Sequence, residues 1–585
     1  MKHSASALLL ASLLLTGCST LRDGTYHLHV ISTNDIHGHW LDSTFTRNQV
    51  RGSLVRASTA IEEIRNREGR DHVVLIDAGD ALQGTSAAFY YNFVDTTGAH
   101  LYPRIAAYMG YDAVVAGAGD LAAGNGVRTR VNRELKRNGI PLLAGNLLRT
   151  ADGKYVLSGS RTFRRGGLKI AVLGYSDADL SAQVDSRLLE GMQVEPFLPL
   201  IQQDVDRIRK KERPHVVIVA VHSGIGKGKG NDPRNQASNL YNQLQGVDFV
   251  IAGADHKAVA VSNGEKALME AGSYARDLAV GRIELQVKQK KVISKSVQAE
   301  RRSLSGVKAD AGMDAFLSEA YAAVGAFCRS RLGELTEALP ARAAYAGSSP
   351  YMNLYHSLAL SVPGVDIAMS APLSIDGILA PGDLSYNDLA RLYPFDNSLI
   401  VISMTGQEIR KYLEASYDNW IQTPGEEGGS VLRIKTTKDP RTGAPKFNFA
   451  KSPANFDAAG GLCYTVDVTR PAGERVAIRS MADGTPFRDE DTYGVGITSY
   501  RASGAGMLLQ AAGIDPKDLS GRIRLQAGEF RKLLYLYIKE HGGLSPAVFS
   551  DKTVVGEWHF VPEAMTSDAV RNDLGKLFGP PTTAR

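Results

Sequence analysis

The stretch "HVVLIDAGD" (residues 72–80) joins a nearly continuous apolar run to an acidic end that contains glycine. Five further stretches also run from apolar residues into a polar end, and they lie at residues 26–38, 112–120, 168–177, 215–224 and 247–256. The segments between them carry helical periodicity, with one apolar face formed by Leu54, Ala57, Ile61 and Ile64. Apolar strands that alternate with helices predict an α/β fold in which helices cover both faces of the sheets.

Length and charge narrow the class of protein. A chain of 585 residues is too long for one hydrophobic core, so two folded units are expected. The 67 lysines and arginines and 62 acidic residues leave a formal charge of only +5. Because the sequence has no dense basic stripe, we expect no nucleic-acid polymer as a partner.

The N-terminus has the form of an export signal. "MKHSASALLLASLLLTGC" begins with a lysine, continues through an apolar run too short to span a bilayer, and ends at Cys18. Its last four residues resemble a bacterial lipobox, which implies that residues 1–18 are a lipoprotein signal and that Cys18 is lipidated. The resemblance places the chain in the bacterial envelope, in the periplasm or at the outer membrane, and anchored without a spanning helix.

The two remaining cysteines, Cys328 and Cys463, are too few for a disulfide framework, and the sequence leaves open whether they form one bridge or stay as thiols. Residues 26–305 are expected to form the first unit. An alanine-rich helical segment at 306–338 is expected to link it to a second α/β unit at 339–545. In that unit Thr405 and Glu408 fit a helix capping box. Residues 546–585 are expected to be a poorly ordered tail.

Carboxylate and imidazole groups follow the predicted strands. They are Asp35, His37, Asp80, His222 and His256. Such ligands collect at the carboxyl ends of strands in layered α/β folds. Mixed oxygen and nitrogen ligands suit zinc, manganese or iron better than calcium. The spacing of Asp35 and His37 predicts that both side chains of an extended segment point the same way.

The motifs "TNDIHG", "DAGDALQGT", "LLAGNLL", "VHSG" and "GADH", in this order, resemble the metallophosphoesterase domain of the 5'-nucleotidase family. "LYPFDNSL", "NFDAAGGLCYTVDVT" and "DEDTYGVGITSYRASGAG" are similar to the C-terminal domain of that family. The resemblance covers almost the whole mature chain. It implies a four-layer α/β/β/α sandwich followed by a smaller α/β domain that binds the nucleoside.

The resemblance also implies two divalent metals that drive hydrolysis of nucleotide phosphate esters. By position, Asp35, His37 and His256 would hold the first ion, and Asp80 would bridge to a second that is also held by His222. Two further ligands of the second ion are missing, because Ala118 and Ala254 occupy their places. Whether one ion or two bind stays open at this stage.

The family's catalytic His and its orienting Asp are also missing, since Gly119 and Ala122 stand there within "GAGDLA". General-acid help is commonly worth about 10²- to 10⁴-fold in rate. Asp120 and Asp255, each beside a lost group, offer substitute ligands, but a loop or capping carboxylate is the more ordinary role for both.

The second domain carries one feature of the family's substrate site and lacks another. Phe456 and Tyr500 occupy the positions where the family sandwiches a nucleobase between aromatic rings, and Asp376 stands where a phosphate-binding arginine is expected. Three functions therefore remain: a slow or altered metallophosphoesterase, a non-catalytic nucleotide or nucleoside binder, and a structural envelope protein.

Overall fold

The computed structural model describes residues 21–45, 52–228, 232, 234–372, 377–395, 397–425, 429–439 and 441–579. Residues up to about 305 form the first domain. Its strands are β1 (Gly24–Thr33), β2 (Val73–Asp77), β3 (Ala113–Val115), β4 (Leu142–Leu143), β5 (Leu147–Arg149), β6 (Ser160–Arg165), β7 (Leu168–Tyr175), β8 (Met192–Val194), β9 (Val216–Val221), β10 (Phe249–Ile251), β11 (Ala258–Ser262), β12 (Ala267–Ala271), β13 (Asp277–Lys288) and β14 (Lys291–Ser303). Its helices are α1 (Leu54–Glu68), α2 (Ser86–Phe89), α3 (Leu101–Met109), α4 (Ala118–Ala122), α5 (Asn125–Arg137), α6 (Phe197–Lys211) and α7 (Ala237–Gln243).

Two six-stranded sheets face each other in the first domain. Their strand orders are β14-β13-β1-β2-β3-β4 and β11-β12-β10-β9-β7-β6. The strands from β1 to β4 run parallel, as do β7, β9, β10 and β12, while the outer strands β6, β11, β13 and β14 pair antiparallel. Each of the six apolar stretches of the sequence supplies one strand of these sheets.

Apolar side chains fill the space between the two sheets, and helices cover their outer faces. Val30, Val74 and Ile76 of the first sheet share one buried cluster with Ile170 and Ile218 of the second. The apolar faces of α1 and α6 are buried in two further clusters. The first domain is therefore the predicted four-layer α/β/β/α sandwich, with the carboxyl ends of β1, β2, β7, β9 and β10 available for ligands.

The linking segment is shorter than expected. It consists of α8 (Ala311–Phe316) and α9 (Ser318–Arg329), and the next residues already form β15 of the second domain. The second-domain strands are β15 (Arg331–Leu335), β16 (Leu339–Pro340), β17 (Ile367–Ser370), β18 (Ile378–Leu379), β19 (Gly382–Ser385), β20 (Ser398–Thr405), β21 (Ile434–Lys438), β22 (Pro445–Phe449), β23 (Ala458–Gly460), β24 (Leu462–Asp467), β25 (Val476–Met481), β26 (Thr492–Thr498), β27 (Ile523–Glu529), β28 (Gly543–Leu544) and β29 (Gly556–Val561). Its helices are α10 (Pro350–Leu360), α11 (Tyr386–Leu392), α12 (Gly406–Trp420), α13 (Ser499–Ala502), α14 (Leu508–Ala511), α15 (Phe530–His541), α16 (Pro546–Phe549), α17 (Lys552–Val555) and α18 (Glu563–Phe578).

The second domain is built around a five-stranded sheet of order β23-β17-β26-β20-β27. The capping box predicted at the start of α12 is confirmed, because Thr405 Oγ1 accepts from the Glu408 N–H at 3.2 Å and Glu408 Oε2 accepts from the Thr405 N–H at 2.8 Å. The prediction of a poorly ordered tail is wrong for residues 546–579. Trp558, Phe560 and Val570 are buried, and β29 pairs in parallel with β24, so this segment is part of the domain.

Aromatic side chains fill the joint between the two domains. The Phe89 ring of the first domain lies 4.9 Å from the Tyr386 ring and 5.0 Å from the Tyr535 ring of the second. Both remaining cysteines are free thiols, Cys328 buried and Cys463 half-buried. Within the described part of the chain, we find no helix with the length and apolar character needed to cross a membrane. The lipidation site, Cys18, lies outside the described residues.

Candidate metal centre and nucleoside cavity

The predicted ligands meet where the central strands of both sheets end. Asp35 and His37 follow β1, Asp80 follows β2, His222 follows β9 and His256 follows β10. Four of the five have positive φ values, 47° for Asp35, 46° for His37, 57° for Asp80 and 60° for His256. This backbone region is uncommon for residues other than glycine and is found often at functional sites.

The prediction that residues 35–37 are extended is wrong. β1 ends at Thr33, and the segment that follows turns through two residues in the left-handed region. The Asp35 N–H donates to the Gly79 oxygen at 2.8 Å, and the His37 N–H donates to the Asp80 oxygen at 2.9 Å. These two bonds hold the loop after β1 against the loop after β2, so the side chains converge through the turn.

One group of ligand atoms forms around Asp35 Oδ1. The His37 Nε2 atom lies 3.7 Å from this oxygen and the His256 Nε2 atom 3.6 Å, while the two nitrogens are 3.0 Å apart. Asp35 is fully buried, and its Oδ2 accepts from Asn34 Nδ2 at 2.7 Å and from the Ala254 N–H at 2.8 Å. Its Oδ1 has no hydrogen-bond partner among the described residues. A buried carboxylate oxygen left open in this way fits a metal cation.

A second group forms around His222, which is also buried. Its Nε2 lies 3.4 Å from Asp80 Oδ2 and 3.9 Å from Asp35 Oδ1. Its Nδ1 lies 3.1 Å from the Ala78 oxygen. Because a carbonyl oxygen can only accept, Nδ1 carries the proton in this contact and Nε2 is directed to the carboxylates. A backbone carbonyl commonly orients metal-ligating histidines in this way.

Burial and charge shift the pKa values at this group. Burial lowers the pKa of His222, but the carboxylates of Asp177, Asp80 and Asp35 outweigh it and raise this pKa to about 9. Burial raises the pKa of Asp80 well above its usual range, and His222 opposes that shift. Without a cation, the carboxylates would therefore hold a proton on His222. A bound divalent ion would balance the charge of the carboxylates in place of this proton.

One carboxylate is shared by the two groups of ligand atoms. Asp35 belongs to both groups of ligand atoms, whereas Asp80 groups only with Asp35 and His222. The reason is local, because Asp80 Oδ1 accepts from the Gly119 N–H at 2.7 Å and only its Oδ2 faces His222. The five predicted residues are thus brought together, and Asp35 is the residue that the two groups share.

The backbone of "GAGD" (117–120) binds carboxylates rather than supplying side-chain ligands. The N–H groups of Gly117, Ala118 and Gly119 donate to Asp120, Asp177 and Asp80 respectively, at 2.9, 2.9 and 2.7 Å. Asp120 also accepts from the N–H groups of Asp80, Ala81 and Leu82, each at 2.9 Å. Both oxygens of Asp120 are therefore used to hold two loops together, and Asp120 is not a substitute ligand.

Asp255 is also committed elsewhere. Its Oδ2 accepts from Lys257 Nζ at 2.7 Å and from the Ile225 N–H at 3.1 Å. Its Oδ1 is buried without a hydrogen-bond partner among the described residues. Burial, together with the neighbouring Asp255 carboxylate, raises the pKa of Glu270 to about 10. The ordinary structural role is the better account of Asp255 as well.

Sequence reasoning missed Asp177, which follows β7. This buried carboxylate places Oδ2 3.9 Å from His222 Nε2, and Gln183 Nε2 donates to its Oδ1 at 3.1 Å. The signal was present in the sequence, because "LKIAVLGYSD" ends in an acid, as residues 72–80 and 112–120 do. Asp177 supplies a third carboxylate beside His222, and its Oδ2 accepts from the Ala118 N–H, at the position of one of the two missing ligands.

Among the described residues, a side-chain amide occupies the space beside Gly119, where the family resemblance leads us to expect a catalytic His. A Cβ atom added to Gly119 would lie 2.3 Å from Gln83 Nε2 and 2.4 Å from Gln83 Cδ. The Gln83 amide occupies this space, with Nε2 3.4 Å from both His37 Nδ1 and Asp80 Oδ2. The region around residue 119 therefore offers an amide where the family has a proton donor.

The second domain contains an apolar cavity of about 200 Å³. Aromatic residues form much of its wall, among them Tyr355, Tyr393, Phe395, Tyr500 and Phe530. Two polar groups of the wall, His356 Nε2 and Ser370 Oγ, are buried without a hydrogen-bond partner among the described residues. Burial lowers the pKa of His356 to about 4, so its ring is neutral at pH 7. An aromatic wall with a few open polar atoms fits a heterocyclic ligand.

The prediction that Phe456 stacks on a nucleobase is wrong, whereas the same role for Tyr500 stays a prediction. Phe456 is fully buried and stacks on Trp420 at 5.4 Å with 7° between the rings, so it is part of the core. Tyr500 lines the cavity and is 43% exposed. Phe395 is a second exposed ring in the same wall. Asp376 lies outside the described residues.

Arg531 connects this cavity to the metal centre. Its Nη1 donates to the Gly84 oxygen at 3.2 Å, in the loop that carries Asp80 and Gln83. Its Nε and Nη2 donate to the oxygens of Tyr393 and Phe395 at 3.3 and 3.1 Å. The loop that follows β2 therefore lies beside the cavity wall.

Comparison with known proteins agrees with this geometry. Residues 331–512 match the family model described as the 5'-nucleotidase C-terminal domain. A trifunctional nucleotide phosphoesterase of Bacillus subtilis is 21% identical over 94% of this chain. A 2',3'-cyclic-nucleotide 2'-phosphodiesterase/3'-nucleotidase of Yersinia enterocolitica is 22% identical over 86% of this chain and 84% of its own length. The second domain therefore matches the 5'-nucleotidase C-terminal domain, and both of these relatives are named as nucleotide phosphoesterases or nucleotidases.

This chain spans 40% of the length of the Bacillus subtilis relative. A solved structure from Staphylococcus aureus, described as a candidate 5'-nucleotidase in complex with alpha-ketoglutarate, aligns with a TM-score of 0.64. It is 20% identical and covers 91% of this chain and 99% of its own. This likeness shows that both domains have the 5'-nucleotidase fold.

Proposed function

We propose that this protein is a metal-dependent hydrolase of the phosphate esters of nucleotides. The observation that carries the proposal is Asp35 Oδ1, a buried carboxylate oxygen without a hydrogen-bond partner among the described residues, which faces the Nε2 atoms of His37, His222 and His256. Relatives named as phosphoesterases and nucleotidases support the same class of reaction.

The donor set of the centre fits zinc or manganese, because it mixes carboxylate oxygens with imidazole nitrogens. Asp35, His37 and His256 would hold one ion, and Asp35, Asp80 and His222 with Asp177 would hold another. A bound divalent ion lowers the pKa of water to about 7 and polarises a phosphoryl oxygen. The protein's part is to fix these ligands, and Asn34, the Ala254 N–H and the Ala78 carbonyl do so for Asp35 and His222.

The aromatic cavity supports a nucleoside as the organic part of the substrate. Stacking of a base on an aromatic ring is worth roughly 1–3 kcal/mol and tolerates different bases. Tyr500 and Phe395 present such rings, and His356 Nε2 offers a hydrogen bond to a base edge. Arg531 places the cavity wall beside the loop of Asp80, which suits a substrate whose phosphate reaches the metal centre.

A second candidate is a nucleoside or nucleotide binder without catalysis. Gly119 and Gln83 favour it, because an amide fills the place of the family's proton donor. The two candidates differ in turnover and not in metal or ligand binding, so a rate measurement decides between them.

The test is metal content per chain, measured by elemental analysis beside hydrolysis of AMP with added manganese or zinc. If Asp177 completes the second position, the protein binds two ions, and Asp177→Ala leaves one with weaker hydrolysis. Ser186→Ala, on the exposed loop after Asp185, is a control that should retain both ions. Two ions without any hydrolysis of AMP or of an aryl phosphate would refute the hydrolase and leave the binder.

We further propose that the mature chain is anchored in the bacterial envelope by a lipid on Cys18. The support is the sequence of residues 1–18 alone. Cys18→Ser should move the protein from the membrane fraction to the soluble fraction and abolish incorporation of labelled fatty acid. Unchanged membrane association of this variant, with no label in the unsubstituted protein, would exclude the anchor.

A further inference from the structure

A second cavity opens in the first domain, beside the metal centre. Its volume is about 570 Å³, and His256, one of the metal-ligand candidates, forms part of its wall. The other polar side chains of the wall are those of Arg56, Ser273, Arg276, Asp277, Arg301, Ser303 and Ser305. Three guanidinium groups and three hydroxyls thus surround a space that begins at His256.

The three arginines are not equally available. Arg56 donates from Nε and Nη2 to the carboxylate of Asp42 at 2.7 and 3.1 Å. Arg301 donates from Nε to Asp277 Oδ1 at 2.8 Å. Arg276 bonds to neutral groups of Ser273, through Nε to the carbonyl oxygen at 3.1 Å and Nη2 to Oγ at 2.8 Å. Among the described residues no carboxylate forms an ion pair with Arg276, so its charge is left for a ligand.

Arg276 is held close to the metal centre. Its guanidinium lies 5.1 Å from the centroid of the Tyr274 ring. The Tyr274 N–H donates to the Asp35 backbone oxygen at 2.8 Å, and the Tyr274 ring lies 5.8 Å from the His256 ring. Two hydrogen bonds and one aromatic contact therefore limit the movement of this charge before any ligand binds, which reduces the entropy cost of binding.

We infer that this cavity, termed the arginine cavity, binds a second phosphate group of the substrate, next to the one that is hydrolysed at the metal centre. The inference rests on the proposed function and narrows it to substrates with a phosphoanhydride, such as nucleoside diphosphates and dinucleotides joined by a pyrophosphate. Guanidinium groups match phosphate oxygens in geometry and charge. The wall contains three arginines and one carboxylate, that of Asp277, and Asp42, which is outside the wall, pairs with Arg56. The charge around the space is therefore net positive.

The test is calorimetric titration of the metal-loaded mature chain with inorganic pyrophosphate and, separately, with orthophosphate and ADP. Arg276→Gln should lower the affinity for pyrophosphate about tenfold or more, which is the loss expected when one charge-assisted hydrogen bond is removed. The loss of affinity for orthophosphate should be smaller, since a single phosphate group can bind at the metals without reaching Arg276. ADP should follow pyrophosphate if the site serves a nucleotide, whereas an effect on pyrophosphate alone would overturn the assignment to nucleotide substrates.

Arg302→Gln is the matched control. Arg302 is the next residue along β14 from Arg301, pairs with Glu63 and does not line the arginine cavity. The Arg302→Gln variant should bind pyrophosphate with the same affinity as the unsubstituted protein. Ser303→Asp is a second variant, for use if a low melting temperature shows that Arg276→Gln folds poorly. The added carboxylate in the cavity wall should repel pyrophosphate and weaken its binding about tenfold.

Equal pyrophosphate affinity in Arg276→Gln, Ser303→Asp and the unsubstituted protein would overturn the inference. Hydrolysis of AMP tests the proposed function separately, because AMP has no second phosphate. A protein that turns over AMP but shows no dependence on Arg276 would keep its function and lose this site. A protein that binds pyrophosphate through Arg276 without hydrolysing AMP or ADP would lose the function and the substrate assignment, and keep only the phosphate site.

Discussion

Asp35→Asn should remove bound metal and lower hydrolysis of AMP by about 10²- to 10⁴-fold, because metal stabilisation of the transition state is worth several kcal/mol. The expectation follows from the position of Asp35 in both groups of ligand atoms. Its Oδ2 already accepts from Asn34 and Ala254, so an amide placed there would either lose an acceptor or direct its NH₂ group at the imidazoles. Elemental analysis and initial rates with saturating manganese check both parts.

Asp204→Asn is the control for this substitution. Asp204 is a buried carboxylate of the same domain, on α6, and it accepts from Tyr175 Oη at 3.0 Å and pairs with Arg207 at 2.5 Å. It should keep metal content and turnover close to those of the unsubstituted protein, although its stability falls. Full metal content in Asp35→Asn would show that the cation binds elsewhere and that the centre described above is not the metal site.

The fold was accessible to sequence reasoning because its signals are local. Each central strand is a short apolar run followed by polar residues and glycine, and this pattern depends on burial on both faces and on turns at strand ends. Asp35, Asp80 and His222 were found for the same reason, since parallel strands bring their carboxyl ends to one edge.

Other features depend on contacts between distant segments and could not be predicted in this way. The family resemblance gives Phe456 a base-stacking position, but whether a ring can stack on a ligand depends on its neighbours, and here Trp420 stacks on it. The segment after residue 545 has an ordinary composition, and only its pairing with β24 makes it part of the domain. Asp177 ends a strand stretch in the same way as Asp80, but only the folded chain shows that its carboxylate lies 3.9 Å from His222 Nε2.

The largest effect on substrate choice should come from the missing proton donor. We expect an aryl phosphate with an acidic phenol, such as p-nitrophenyl phosphate, to be hydrolysed faster than AMP by about 10²- to 10⁴-fold, the usual contribution of a general acid. The reason is that an acidic phenol leaves as its anion, while the ribose oxygen of AMP needs a proton. Within residues 117–122, Asp120 is the one titratable side chain, and backbone N–H groups occupy both of its oxygens. Initial rates with both esters at saturating manganese measure this ratio.

A triple variant at positions 83, 119 and 122 should supply the missing proton donor. Gly119→His with Ala122→Asp would restore the family's dyad, and Gln83→Ala is needed beside them because the Gln83 amide lies within 2.3 Å of an added Cβ. This triple variant should raise AMP hydrolysis and leave the aryl phosphate nearly unchanged, so that the ratio of the two rates narrows. Gln83→Ala with Gly119→Ala, which clears the same space without a proton donor, should not narrow it. Equal rates for both esters in the unsubstituted protein would mean that another group donates the proton, and "GAGD" would then mark a relocated acid and not a lost one.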